Sequence, residues 1–210
     1  MGLHFEIENL IGNIYLISEE NSHTPLRDAR EFAVLLNSTG RMNRPSLGIA
    51  NCMGDRASSL KEANQILEDY IKSINKYLCL LNEKPERMKE FDNNYVIYGD
   101  KFINEKIIGT ISSILVSSLQ YLEKQLIAYA NVEEENAAKF SARTTGFALQ
   151  KGVNLGEIMK IAAETFGGKG GGHNIAAGAQ VPINKIKDFV DLVNSLVVTQ
   201  LSGVAMGSSD

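Results

Sequence analysis

The sequence predicts an α/β fold: a mixed sheet with flanking helices in a C-terminal lobe, preceded by a long connecting helix and a small α/β element at the N-terminus. Three observations carry this reading. Leu60, Ala63, Leu67, Tyr70, Ile74, Tyr77 and Leu81 recur at helical spacing over about six turns of 3.6 residues. Past Asn94, short β-prone runs alternate with helical patterns. Between two of those helical patterns stands Gly167-Gly168-Lys169-Gly170-Gly171-Gly172-His173-Asn174-Ile175-Ala176-Ala177-Gly178, an ordered glycine-rich element inside a fold.

In chain order, His4–Leu10 and Asn13–Ile17 flank Ile11-Gly12-Asn13 and read as a short strand pair. Thr24-Pro25 opens a helix, with threonine as N-cap and proline at the first position. Its buried stripe is Leu26, Ala29, Ala33 and Leu36, with Phe32 and Leu35 beside it, and it ends near Gly40. Leu47–Met53 reads either as a buried strand or as the start of a helix. The long helix over Leu60–Leu81 follows, and the polar stretch Asn82–Asn94 with Pro85 marks a boundary. Strands are predicted at Tyr95–Tyr98, Gln125–Asn131 and Lys139–Thr145, and helices at Thr110–Leu119 and Leu155–Phe166. A closing helix over Ile183–Leu201 turns Ile183, Ile186, Phe189, Val190, Val193, Leu196 and Val197 inward. This order puts the glycine element at the edge of a sheet.

The 210 residues suit one large or two small domains, and 44% hydrophobic residues suffice for a core. A net charge of −4 argues against a generic polyanion binder. The distribution is uneven, however. Between residues 139 and 173, Lys139, Arg143, Lys151, Lys160 and Lys169 outnumber Glu157 and Glu164. Cys52 and Cys79 lie in apolar surroundings without paired spacing and read as buried, reduced thiols, which favours a cytoplasmic location. No basic segment with an apolar run opens the chain, and no run of about 18 apolar residues exists, so neither a signal peptide nor a membrane span is expected.

Glycines permit positive φ and close approach, and successive amides in a turn can converge on an anion. With His173 as a directed donor at its mouth and Lys169 inside it, the element at Gly170, Gly171 and Gly172 reads as a phosphate cradle. It is not a P-loop, because Lys169 is followed by glycine, nor a dinucleotide fingerprint, because His173 occupies a glycine position. On a strand, Ser141, Arg143 and Thr145 share one face. Arg143 offers a rigid donor fork for phosphate, and Ser141 with Thr144 or Thr145 adds neutral donors. By itself such an arginine also reads as a solvated residue of a sheet face. Asn37-Ser38-Thr39-Gly40-Arg41 suggests a helix end in which Gly40 turns left-handed and Arg41 projects towards an anion, or a plain helix cap with a structural arginine.

Gly170-Gly171-Gly172-His173-Asn174-Ile175-Ala176-Ala177-Gly178 resembles the Gly-Gly-Gly-His-x-x-Ala-Ala-Gly signature of the C-terminal domain associated with DHH-family phosphoesterases. Ser141-Ala142-Arg143 resembles the Ser-x-Arg strand that precedes it, and Asn37–Arg41, with Ser38 for alanine, resembles a segment of RecJ-type single-strand exonucleases. Asp28–Ala33 and Gly54-Asp55-Arg56 look most like archaeal RecJ-like proteins. The resemblance runs from about Asp28 to Pro182. It implies residues 1–58 as the end of a catalytic-type domain or linker region, 59–91 as connecting helix and linker, and 92–202 as the substrate-binding domain.

The family's catalytic half holds two divalent metals with Asp and His clusters. This chain contains no Asp-His-His and no Asp-x-Asp, and His4, His23 and His173 lack ligand spacing. The resemblance therefore implies a substrate lobe without catalytic residues or metal ligands, with manganese or magnesium expected only in a full-length enzyme. Its ligand would be single-stranded nucleic acid near a terminal phosphate, held by Gly170, Gly171, Gly172, His173, Arg143 and Ser141, with Thr144, Lys169 and Arg41 as further contacts. Alone it would bind weakly and cleave nothing, and its partner would be the missing catalytic domain. Alternatives are a lobe for small nucleotides such as oligoribonucleotides or cyclic dinucleotides, and a non-catalytic module docking replication or repair proteins. An alanyl-tRNA synthetase-like tail shares the glycine motif, but the Asn37–Arg41 segment argues against it.

Overall fold

Register, more than any single contact, positions the candidate residues. The computed structural model describes residues 12–118 and 124–207. The chain divides into two compact units, Met1–Lys72 and Ser73–Asp210. The first holds α1 (Ala29–Arg41), α2 (Pro45–Cys52) and most of α3 (Ser58–Glu83). The second holds the end of α3, then β1 (Met88–Glu90), β2 (Asn94–Tyr98), α4 (Ile108–Ser118), β3 (Gln125–Val132) and β4 (Ala137–Arg143). It continues through α5 (Gly146–Gln150), α6 (Leu155–Thr165), β5 (Lys169–Gly172), β6 (Ala176–Pro182) and α7 (Ile186–Gly207). This is the mixed α/β architecture expected from the sequence, with a long helix before the sheet.

Several local expectations change in the first unit. Of the strand pair, His4–Leu10 lies outside the described residues, and Asn13–Ile17 contributes one isolated bridge, Leu16 to Asp28. Thr24-Pro25 opens only a 3₁₀ turn, Pro25–Arg27, and Thr24 makes no side-chain cap. The N-cap of α1 is Asp28, whose carboxylate accepts from the Arg30 amide, because an acceptor must stand just before the first free amides of the helix. The core of this unit is Leu26, Leu35, Leu47 and Ala63 with Phe32, Leu60, Ile66 and Leu67 packed against it, while Ala33 is exposed. The left-handed residue after α1 is Asn43 (φ 61°), not Gly40, which stays helical. Leu47–Met53 is helical because Pro45 starts a helix at its first position. Cys52, and Cys79 at the end of α3 in the second unit, are exposed free thiols rather than buried ones, since each falls on the solvent side of its helix.

In the second unit the strands order as β1-β2-β3-β4-β6-β5. Among the described residues only β2 and β3 pair in parallel, with α4 between them in sequence; the other neighbours are antiparallel. One face of the sheet carries Ile127, Tyr129, Phe140, Ala142, Ala177, Ala179 and Val181 and packs on α6 and α7 through Ile158, Met159, Phe189 and Val193. Phe140 stacks at 4.3 Å from Phe189 and 5.3 Å from Tyr129 between ring centroids. Burial pushes the Tyr129 hydroxyl well above its ordinary pKa, and it donates to Asp100 Oδ1 at 2.6 Å.

The glycine element is not a turn of converging amides. It is the edge strand β5, paired with β6 in the register Lys169–Gln180, Gly170–Ala179, Gly171–Gly178 and Gly172–Ala177. Alternate amides of such a strand point to opposite edges, so they cannot close on one point. Its composition answers to packing. A Cβ on Gly170 would stand 2.2 Å from the Met159 carbonyl oxygen and 2.9 Å from Ala163 Cβ, both on α6. Gly172 holds φ 145°, and a Cβ there would meet the Ala176 oxygen at 2.6 Å. Helix and edge strand therefore touch backbone to backbone. Gly170→Ala should destabilise the protein by about 1–3 kcal/mol, the usual cost of overpacking, read as a lower midpoint in urea denaturation followed by circular dichroism.

Candidate anion-binding face

The face of the sheet opposite α6 and α7 carries most of the candidate residues. Residues directly paired across a ladder point to the same side. Leu126, Arg143, Ala176 and His173 form one row, since Arg143 pairs with both Leu126 and Ala176. His173 completes it, its amide donating to the Ala176 oxygen at 2.9 Å and its own oxygen accepting from the Ala176 amide at 3.3 Å. The next row is Ala128, Ser141, Gly178 and Gly171, and the third is Ala130, Lys139, Gln180 and Lys169.

Over β3 and β4 this face is covered by α4. Arg143 Nε donates to Ser113 Oγ at 3.0 Å, and Nη1 donates to the Ala142 oxygen at 2.7 Å. Gly109, in the first turn of α4, approaches so closely that a Cβ there would lie 3.6 Å from Arg143 Nη2 and 3.7 Å from Ser141 Oγ. Ser141 is 5% exposed, and its hydroxyl finds no hydrogen-bond partner among the described residues. The guanidinium, a buried hydroxyl and the N-terminal turn of a helix thus meet at one place, all favouring negative charge.

The hairpin that carries His173 is held from two sides. The Asn174 oxygen accepts from the Leu155 amide at 3.0 Å, tying it to the start of α6, and the Ile175 oxygen accepts from the Thr144 amide at 3.1 Å, tying it to the end of β4. His173 itself is exposed. Two strand spacings separate it from Arg143, about 10 Å between backbones, with only Ala176 standing between.

The other candidates are placed differently. The Thr144 hydroxyl donates to Gln125 Oε1, on the side of the sheet away from Arg143, and Thr145 Oγ1 accepts from the Ala148 amide at 3.5 Å as α5 begins. Lys169 is exposed two rows from His173. Arg41 belongs to the other compact unit, at the end of α1. There Ser38 and Thr39 are buried and donate back to the Leu35 and Leu36 oxygens, and a Cβ on Gly48 of α2 would touch Thr39 Oγ1 at 2.6 Å, so the middle of that segment packs helix on helix. Gly109 and Ser113 were not legible as site residues. Their only signal is small residues four apart on one face of a helix. Among the described residues no group of three His, Cys, Asp or Glu side chains is placed to hold a metal ion. Among them, too, no helix is long and apolar enough to cross a membrane.

A buried hydroxyl without a partner costs roughly 1–3 kcal/mol. Ser141→Ala should therefore leave the urea midpoint unchanged or raise it, despite removing a buried polar group from the middle of a sheet. A markedly lower midpoint would mean that the hydroxyl has a structural partner.

Residues 92–199 match the family model described as the DHHA1 domain. An uncharacterized protein of Methanocaldococcus jannaschii is 37% identical over 197 residues, covering 93% of this chain and 40% of that protein. The alanine–tRNA ligase of Clostridioides difficile is 26% identical over 151 residues, covering 70% of this chain and 17% of the enzyme. This chain therefore spans well under half the length of both. Among solved structures, RecJ from Thermus thermophilus in complex with Mn2+ superposes with a TM-score of 0.62 at 16% identity, over 81% of this chain and 24% of that one, a likeness of fold.

Proposed function

The chain belongs to the DHHA1 domain family, and from that membership we propose that its second unit is the substrate lobe of a longer RecJ-like DHH phosphoesterase, one that holds single-stranded nucleic acid by a terminal phosphate. The observation that carries the reading is the meeting of Arg143, the unpartnered Ser141 hydroxyl and the first turn of α4 on one face of the sheet, with His173 at the end of the same row. A phosphate at that point accepts from the guanidinium and from Ser141, and an imidazole N–H of His173 donates to its far side. The cation already has its Nε and Nη1 fixed, so little side-chain entropy is lost on binding. The resemblance of Asn37–Arg41 to a RecJ-type segment favours the exonuclease branch of the family. In such an enzyme the lobe positions the strand end, and bond cleavage falls to a separate domain.

Fluorescence anisotropy with short single-stranded oligonucleotides, with and without a 5′ phosphate, tests this. Binding should depend on the phosphate and fall with salt at about 0.7 logarithmic units per phosphate bound. Arg143→Ala should weaken it about 10–100-fold, the worth of a charge-assisted hydrogen bond, and His173→Ala should also weaken it. Binding indifferent to salt, to the phosphate and to both substitutions would overturn the proposal in favour of a protein-docking role.

A further inference from the structure

Beyond the Arg143–His173 row, the same face is bare over β6 and β5. Gly178 and Gly171 occupy the next row beside Ser141, so no side chain rises from β6 or β5 there. A methyl group built on Gly171 would meet nothing within 4 Å, and one on Gly178 would meet only the Phe140 backbone oxygen of the neighbouring strand at 3.2 Å. The orphaned, 5%-exposed Ser141 hydroxyl stands in this row and on this face. The third row then brings two cations together: Lys139 on β4 and Lys169 on β5 both pair with Gln180 of β6 and therefore flank it on the same side. Both lysines are exposed, and among the described residues neither forms an ion pair. Four residues of strand separate this row from Arg143, about 13 Å. Arg143 is drawn towards Ser113 and its own backbone, so one phosphate cannot reach both ends.

At the far edge of the third row the surface changes sign. Glu135 accepts from Gln180 Nε2, and Glu133 pairs with Lys101. A cavity of about 580 Å3 opens there, lined by Glu135, Asn136, Gly168, Lys169 and Gln180 among others. An anionic backbone running down the bare rows is stopped at this acidic end.

We propose that Lys139 and Lys169, with Gln180 between them, form a second phosphate subsite, and that the ligand is a short oligonucleotide lying along β6 from Arg143 and His173 to the two lysines. This rests on the terminal-phosphate reading above and adds to it a length: two anchored phosphates, with the intervening nucleotide crossing Gly178 and Gly171. Glycine suits that crossing because ligand atoms can lie directly on the sheet backbone.

The test is an NMR titration of the chain with a nucleoside 5′-monophosphate and with 5′-phosphorylated tri- and hexanucleotides, for wild type, Lys139→Gln/Lys169→Gln, Gly178→Val and Arg143→Ala. Wild type should bind the trinucleotide at least tenfold more tightly than the mononucleotide, with little further gain for the hexanucleotide. The double lysine variant, whose changes lie on the surface, should forfeit that gain, keep its mononucleotide affinity, and show a salt slope shallower by about 0.7 for each phosphate it no longer holds. Gly178→Val should likewise weaken only the longer ligands. A lysine variant that binds the trinucleotide as wild type does, or a wild type that gains nothing with length, would overturn the second subsite while Arg143→Ala still weakened mononucleotide binding. Unchanged affinity in Arg143→Ala would instead overturn the terminal-phosphate reading itself.

Discussion

Contact between the backbones of α6 and β5 is the constraint on which the second unit depends. The Met159 carbonyl oxygen occupies the place where Gly170 would carry a Cβ. Any side chain on that residue lifts the edge strand off the helix. With β5 seated, its pairing with β6 follows, and the hairpin at Asn174-Ile175 closes against Leu155 and Thr144. Only then does His173 fall in the row of Arg143. The glycines thus serve the site at one remove: two allow close packing and an extended conformation open to glycine, and those on the opposite face leave a surface without side chains.

That division explains which parts were legible in the sequence. Long amphipathic helices announce themselves, and α3 and α7 lie close to where Leu60–Leu81 and Ile183–Leu201 put them. Strands rich in β-branched and aromatic residues do so too, as Tyr95–Tyr98 shows within β2. A strand made of Lys169 and three glycines carries no such signal, because glycine has little β propensity and its pairing is imposed by the neighbours. Its amides were accordingly expected to converge, and they do not. The cysteines misled for a related reason. Apolar neighbours in sequence say nothing about which side of a helix a residue takes, and Cys52 and Cys79 face outward. Arg143 and Ser141 were legible because period-two alternation fixes their common face, whereas Gly109 and Ser113 reach that face through a tertiary contact.

The electrostatics are local in the same sense. A chain with a net charge of −4 still gathers Arg143, Lys139, Lys169 and His173 on one side of three adjacent strands. Sequence separation hides the grouping, since Lys139 and Lys169 stand 30 positions apart and meet only through their shared partner Gln180. The Ser141 hydroxyl belongs to this arrangement. Natural cores satisfy nearly all their buried polar groups, so a hydroxyl left without a partner beside a guanidinium is a position where the proposed phosphate would supply the missing acceptor.

Edge strands are commonly protected by lysine against pairing with other chains, and Lys169 is placed to do that for β5. The same explanation does not extend to Lys139. It sits on β4, an interior strand with β3 on one side and β6 on the other, where no free edge needs protecting. Nor does an ion pair account for it, since among the described residues it forms none. Lys139 is an exposed lysine on an interior strand, in register with a second lysine and next to a row of glycines. What the two share is the open face between them, and the proposed second phosphate subsite gives both a common role.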